Sequence, residues 1–205
     1  MEIAPGYTVD VWNKLELNPA NPEHEDWDTA VTILRSRIEQ RFIEPVDKLI
    51  ALQERDKKRT YGFAILAIDF LVLETIQGFK EGVTDHKGQS TKLITNFLKD
   101  WKLLTENVPE EKSIEDATDE IYKSYRCALH HSAGTDSSYL IRKSGKIIDF
   151  NAGKKCIINR TAFHNGLKKE FDKYLDLLLE KDQKEKRDNF IKKMNYICNG
   201  NPPDN

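Results

Sequence analysis

GFAILAIDFLVLETIQGFKEG, residues 62–82, contains the longest apolar run of the chain, the 11 residues FAILAIDFLVL at 63–73. That run is too short to cross a bilayer. Its apolar residues (Phe63, Ile65, Leu66, Ile68, Phe70, Leu71, Val72, Leu73, Ile76, Phe79) fall on nearly every face of a helix over about 60–81. A helix apolar all round belongs in the middle of a bundle. Two acids are embedded in it, Asp69 and Glu74, five residues apart and so pointing in different directions. Inside a protein each needs a partner.

Helical periodicity continues outward from this segment. Upstream, Trp27, Val31, Leu34, Ile38 and Phe42 recur every three or four residues, and Pro45 interrupts or restarts the helix before Val46, Leu49 and Ile50. Downstream, GVTDHKGQS (82–90) reads as a loop, and Leu93, Ile94, Phe97, Leu98, Trp101 and Leu104 mark the next helix. Ser113, with Asp116 three residues on, begins a further helix carrying Ile114, Ala117, Ile121, Tyr125, Ala128 and Leu129. The period then changes. Short β-branched runs between glycine turns over 138–159 predict a small β-hairpin. Helices resume with Phe163, Leu167, Phe171, Tyr174, Leu175 and Leu178, and a last basic helix spans about 182–198. The expected fold is all-α: a helical bundle over 27–198 with a hairpin inserted late. An N-terminal arm (1–26) packing Trp12 or Trp27 precedes it, and a disordered tail (199–205) follows.

Composition narrows the class. Hydrophobic residues make up 39% and charged residues 32%, as in a globular protein with a heavily charged surface. The first residues show neither the basic nor the apolar region of a secretory signal, so a cytoplasmic, membrane-free protein is expected. Cys127, Cys156 and Cys198 are widely spaced and odd in number, which predicts free thiols and neither a disulfide framework nor a metal site. Net charge is −2, yet residues 142–193 carry 15 Lys/Arg against 8 Asp/Glu. Such a basic region suits a polyanion locally, or simply a solvated face.

The chemistry-bearing stretch is YKSYRCALHHSAGTDSS, 122–138. It places Arg126 shortly before His130 and His131, on a helix that ends at Ser-Ala-Gly. A histidine can take the proton of a ribose 2′-hydroxyl or return one to the leaving 5′-oxygen. A guanidinium can hold the phosphate and the charge that builds in the transition state. With the 2′-hydroxyl as nucleophile, the reaction requires no metal or cofactor. The same residues could instead serve a helix C-terminus by capping its carbonyls. On a continuous helix His130 shares a face with Arg126, whereas His131 does so only if the helix ends or distorts.

YRCALHHSAG, together with the quoted 62–82 segment, resembles the HEPN superfamily (higher eukaryote and prokaryote nucleotide-binding domains), whose mark is an Arg-x4–6-His motif on a late helix of a compact bundle. The resemblance spans roughly 27–180. It implies a metal-independent endoribonuclease, often a toxin or phage-defence effector, with a composite cleft formed by two motifs across a homodimer. It also implies an antitoxin or sensor protein as a further partner besides RNA. Carried over, Arg126 is the phosphate-stabilising residue and His131 the acid/base, with His130 between them. Cys127 departs from the polar residue common after the arginine, which keeps open a catalytically inactive HEPN-like module that binds RNA, a nucleotide or a partner. Asp69 or Glu74 is a candidate to orient Arg126. Tyr122 is a candidate for stacking or core packing. Lys154, Lys155, Lys168 and Lys169 are candidates for an RNA path or a solvated face. His164, four after Arg160, misses the family spacing and reads as a helix-start residue; Asn159-Arg-Thr161 matches a glycosylation sequon.

Overall fold

The computed structural model describes residues 1–56, 58, 60–129, 139–152 and 155–200. In chain order the elements are β1 (Glu2–Ala4), β2 (Tyr7–Thr8), α1 (Val9–Trp12), α2 (Asp26–Ile38), α3 (Glu44–Arg55), α4 (Gly62–Lys80), α5 (Ser90–Asp100), α6 (Lys102–Thr105), α7 (Ile114–Ile121), β3 (Tyr139–Arg142), β4 (Ile148–Ala152), β5 (Lys155–Asn159), α8 (Arg160–Leu179) and α9 (Lys184–Asn199). Two π-helical turns, Glu39–Ile43 and Tyr122–Cys127, extend α2 into α3 and continue α7. The fold is mainly α, as the periodicity predicts.

The predicted central helix is α4, which packs against α5, α8 and α9. It is long and apolar enough to cross a membrane, but here Ile65, Leu66, Phe70, Leu73, Ile76 and Phe79 are buried within the bundle. Burial is not complete on all sides. Phe63 (43% exposed) and Leu71 (46%) stay uncovered, and with exposed Ala67 between them they form a stripe at four-residue spacing. The helix stops at Gly82, whose φ of +63° suits a residue without Cβ. Val83 N–H then donates to Gly78 O (2.9 Å) and Gly82 N–H to Phe79 O (3.3 Å), closing the end in a Schellman pattern. Asn189 of α9 caps a further carbonyl, Lys80 O, at 2.9 Å.

Pro45 falls in the first turn of α3, where its missing N–H costs nothing. The π-turn just before it lets α2 run on without a full break. α7 begins on the predicted cap: Asp116 N–H donates to Ser113 Oγ at 3.0 Å, and that hydroxyl donates to Asp116 Oδ2 at 2.7 Å. The helix expected through Leu104 divides at Trp101, whose ψ of 93° separates α5 from α6. The first residues pair as a β1–β2 hairpin that leads into α1, with Ile3 and Ala4 buried. Trp12 and Trp27 both enter the core and pack on Phe190 with ring centroids 5.6 Å and 6.0 Å away. At the other end, Asn199 closes α9, and the tail predicted after it lies outside the described residues from 201 onward.

The late insert is a three-stranded sheet in the order β3-β5-β4. Its hairpin is β4–β5, antiparallel; β3 joins the other edge of β5 in parallel. Asn159 holds this arrangement. Its N–H donates to Ile147 O (3.0 Å) and its side-chain amide to Gly145 O (2.7 Å), fixing the loop between β3 and β4. Its side-chain oxygen accepts from Thr161 and Ala162 N–H at 3.1 Å each, capping α8. The sequon asparagine is therefore buried and committed to the fold.

α4 and α8 are joined by a polar pair. His164 Nδ1 lies 2.7 Å from Asp69 Oδ1, and both side chains are 1% exposed. His164 Nε2 lies 3.3 Å from Asp47 Oδ1 on α3. Burial raises the Asp69 carboxyl above its usual range, while the hydrogen bond and charge of His164 pull it down only in part. Replacing either partner by alanine leaves the other buried without its closest polar contact. Asp69→Ala and His164→Ala are each expected to cost about 3–5 kcal/mol in urea unfolding, with the double variant losing much less than the sum.

Candidate functional site

Arg126 lies in the π-turn that continues α7, at the edge of a cleft of about 390 Å³ whose walls include Ala67, Phe70 and Leu71 of α4, with Leu129 opposite. The motif helix departs from α geometry at Tyr122–Cys127, around Arg126 itself, while the end expected at Ser-Ala-Gly lies outside the described residues. π-turns are rare and gather at functional sites. His130 and His131 lie outside the described residues.

Arg126 is oriented by Glu74, one of the two acids predicted to be able to do so. Its Nη2 is 3.5 Å from Glu74 Oε2 and donates to Ser90 Oγ at 3.1 Å. Ser90 in turn donates to Glu74 Oε1 at 2.6 Å. Asp69, the other candidate, is turned away toward His164 as described, because five residues along a helix reverse much of the direction. Tyr122 is half-buried and packs against the core.

The structure adds a residue that the sequence pattern did not single out, His86. Its Nδ1 lies 3.3 Å from Glu74 Oε1, and its Nε2 lies 2.8 Å from Lys193 Nζ. An ammonium can only donate, so Nε2 is the acceptor and Nδ1 carries the proton given to Glu74. Lys193, on α9, also donates to Val83 O (2.6 Å) and Thr84 O (3.0 Å). The sequence held one signal for this. Gly78 is the bare position on the buried side of α4, and a Cβ there would come within 2.4 Å of His86 Nε2.

The result is a polar chain, Arg126–Ser90/Glu74–His86–Lys193, of which Arg126, Glu74 and His86 line the cleft together with Thr75 and the apolar residues. Burial alone would raise the Glu74 carboxyl. Hydrogen bonds from His86 and Ser90, with the Arg126 charge, outweigh it and hold Glu74 below the usual carboxylate range. Burial pulls the Lys193 ammonium down to about 8, with Asp85 and Glu74 offsetting part of the effect. Among the described residues, Glu74 and Ser90 engage Arg126 through Nη2.

Of the lysines proposed for an RNA path, Lys168 and Lys169 do not line this cleft. Lys168 is held by Asp47 at 2.7 Å, and Lys169 is exposed on α8. Lys155 starts β5, and Lys154 lies outside the described residues. The cysteines are free thiols: Cys127 is half-buried, and Cys156 and Cys198 are buried. Comparisons with protein-family models, curated proteins and solved structures return no match, so the site's own geometry carries the functional reading.

Lys193 yields a pH test. Folded, it loses its proton near pH 8; unfolded, near 10.5. Between these values the unfolded chain binds more protons, so the Lys193 contribution makes folding stability rise with pH across that window. Below the folded value both states are protonated and the contribution is flat. Lys193→Met is expected to abolish this rise, read as the difference in urea midpoint between variant and wild type on either side of the window.

Proposed function

We propose that the chain is a HEPN-type, metal-independent endoribonuclease. The observation that carries this reading is Arg126, held through a single nitrogen by Glu74 and Ser90 at the rim of the 390 Å³ cleft. The remaining donors of the fork suit a non-bridging pair of phosphate oxygens. In the proposed step the ribose 2′-oxygen attacks the adjacent phosphorus. The 2′-O–P bond forms, the P–5′-O bond breaks, and the products are a 2′,3′-cyclic phosphate and a 5′-hydroxyl. His131 takes the 2′-hydroxyl proton and supplies one to the 5′-oxygen, with His130 beside it, while Arg126 stabilises the charge on phosphorus.

The resemblance supports two copies of the chain, each lending its motif to one composite cleft. Uncovered Leu71 and Ala67 beside the cleft give a second copy an apolar rim to bury. A cutter of cellular RNA needs restraint, which fits a toxin or phage-defence effector paired with an antitoxin or sensor.

A second reading has its own support. Cys127 follows the arginine where a polar residue is usual, and Glu74 partly neutralises Arg126. These features suit a catalytically inactive module that holds RNA, a nucleotide or a partner through the same cleft.

Purified protein is expected to cut mixed RNA in EDTA, and Arg126→Ala to slow cutting by about 10²–10³-fold. His131→Ala is expected to abolish cutting and His130→Ala to spare most of it, with products resolved on denaturing gels. Binding without cutting would favour the inactive module. Sedimentation showing a monomer at every concentration would remove the composite cleft.

A further inference from the structure

A second concave surface lies at the start of α4. This groove, about 500 Å³, is lined by Phe63, Tyr139, Leu140, Arg142, Lys143 and Arg160, among others. Phe63 and Leu140 give it exposed apolar walls, at 43% and 36% exposure. Arg160, the first residue of α8, lies beneath with 1% exposure. Its Nη2 donates to Gln53 Oε1 at 2.9 Å, and its Nη1 bonds Thr161 Oγ1.

Charge is unbalanced here. Glu54, half exposed, is the carboxylate that reaches both Arg160 and Lys143, each at 3.7 Å. Arg142 is exposed and pairs with no carboxylate among the described residues. Among the described residues, Arg160 and Lys143 thus share one solvated anion, with Arg142 unpaired by a carboxylate, beside an exposed aromatic ring. Burial works against the Arg160 charge, and Glu54 offsets that only in part. An anion entering the groove would relieve it.

The groove and the Arg126 cleft both open beside α4. Phe63 lines one and Ala67 and Leu71 the other, and the three stand at four-residue spacing on the same uncovered stripe of α4. From Phe63 to Glu74 the helix rises about 16 Å. We infer that this groove is a single-stranded RNA subsite, with a base stacked on Phe63 and the flanking phosphates on Arg142 and Lys143 over Arg160. The strand reaches it along the α4 stripe from the scissile phosphate at Arg126. This inference rests on the nuclease reading for the identity of the strand. Aromatic stacking with a basic track is how single strands are held without base readout, and a duplex cannot offer its bases to Phe63.

The test measures binding and cutting separately. Binding uses a short fluorescein-labelled 2′-O-methyl oligoribonucleotide, which lacks the nucleophile, read by anisotropy against full-length protein in EDTA. Phe63→Ala and the double variant Arg142→Ala/Lys143→Ala change exposed side chains, and circular dichroism melts confirm folding. Phe63→Ala is expected to weaken binding by roughly five- to a hundredfold. The double variant should flatten the slope of log affinity against log salt by about 1.4, the share of two single-strand phosphate contacts. Variants that bind like wild type, a wild type that binds no strand, or equal binding of the same sequence as a duplex would each overturn the subsite. Cutting of unmodified RNA is scored on its own. Groove-dependent binding without cutting retains the subsite and rejects the nuclease; cutting indifferent to the groove does the reverse.

Discussion

The fold is organised by the cost of placing acids on a buried helix. Each carboxylate taken out of water loses several kcal/mol unless hydrogen bonds or charge restore it. α4 and its C-terminal end present three, Asp69, Glu74 and Glu81, and each draws in a different part of the chain. Asp69 faces α8 and takes His164. Glu74 faces the loop before α5 and the motif helix, and takes His86, Ser90 and Arg126. Glu81 takes Asn96 of α5 and Gln77 of its own helix, each at 2.8 Å. Apolar packing alone would tolerate α4 rotated or slid by a residue. These polar pairs would not, because a small rotation would strand a buried charge. The position of Arg126 is therefore a consequence of bundle assembly.

Tyr125 extends that order to the sheet. Its hydroxyl lies 3.0 Å from Leu140 O on β3 and 2.7 Å from Cys156 O on β5, so one proton is shared between two strands. Burial pushes the phenol well above its ordinary value, which keeps that proton in place. Tyr125 immediately precedes Arg126. One turn of backbone thus sets the arginine against α4 through Glu74 and sets β3 against the motif helix through the phenol. Cleft and groove are held in register by adjacent residues, which a strand spanning both would require.

Much of this was legible in the sequence where a period or a cap is involved. α4 was readable from unbroken apolarity, α7 from Ser113 and Asp116, and α8 from the run Phe163 to Leu178. The π-turns at Glu39–Ile43 and Tyr122–Cys127 were not, because one extra residue in a turn hardly disturbs a stripe spaced by three and four. Nor was the parallel pairing of β3 with β5, since glycine turns suggest hairpins and the crossing loop is fixed by a distant side chain, Asn159. His86 was hidden for a related reason. A single polar residue in a loop has no period, and its place against Gly78 exists only in three dimensions.

The pairing of Arg126 with Glu74 is compatible with an inactive module, yet its geometry is loose for a neutralising ion pair. A salt bridge that silenced the arginine would be short and bidentate, matching fork to carboxylate. Here the contact is 3.5 Å through one nitrogen, and the closer partner is the neutral Ser90 hydroxyl. Ser90 and His86 both bond Glu74 Oε1, while Oε2 is the oxygen that faces the guanidinium. Among the described residues, Arg126 is held at one corner, Nη2. Under the proposed nuclease reading, Glu74 would anchor the fork before substrate arrives and so lower the ordering cost of binding a transition state. On this geometry the carboxylate is compatible with the proposed nuclease as well as with the inactive module.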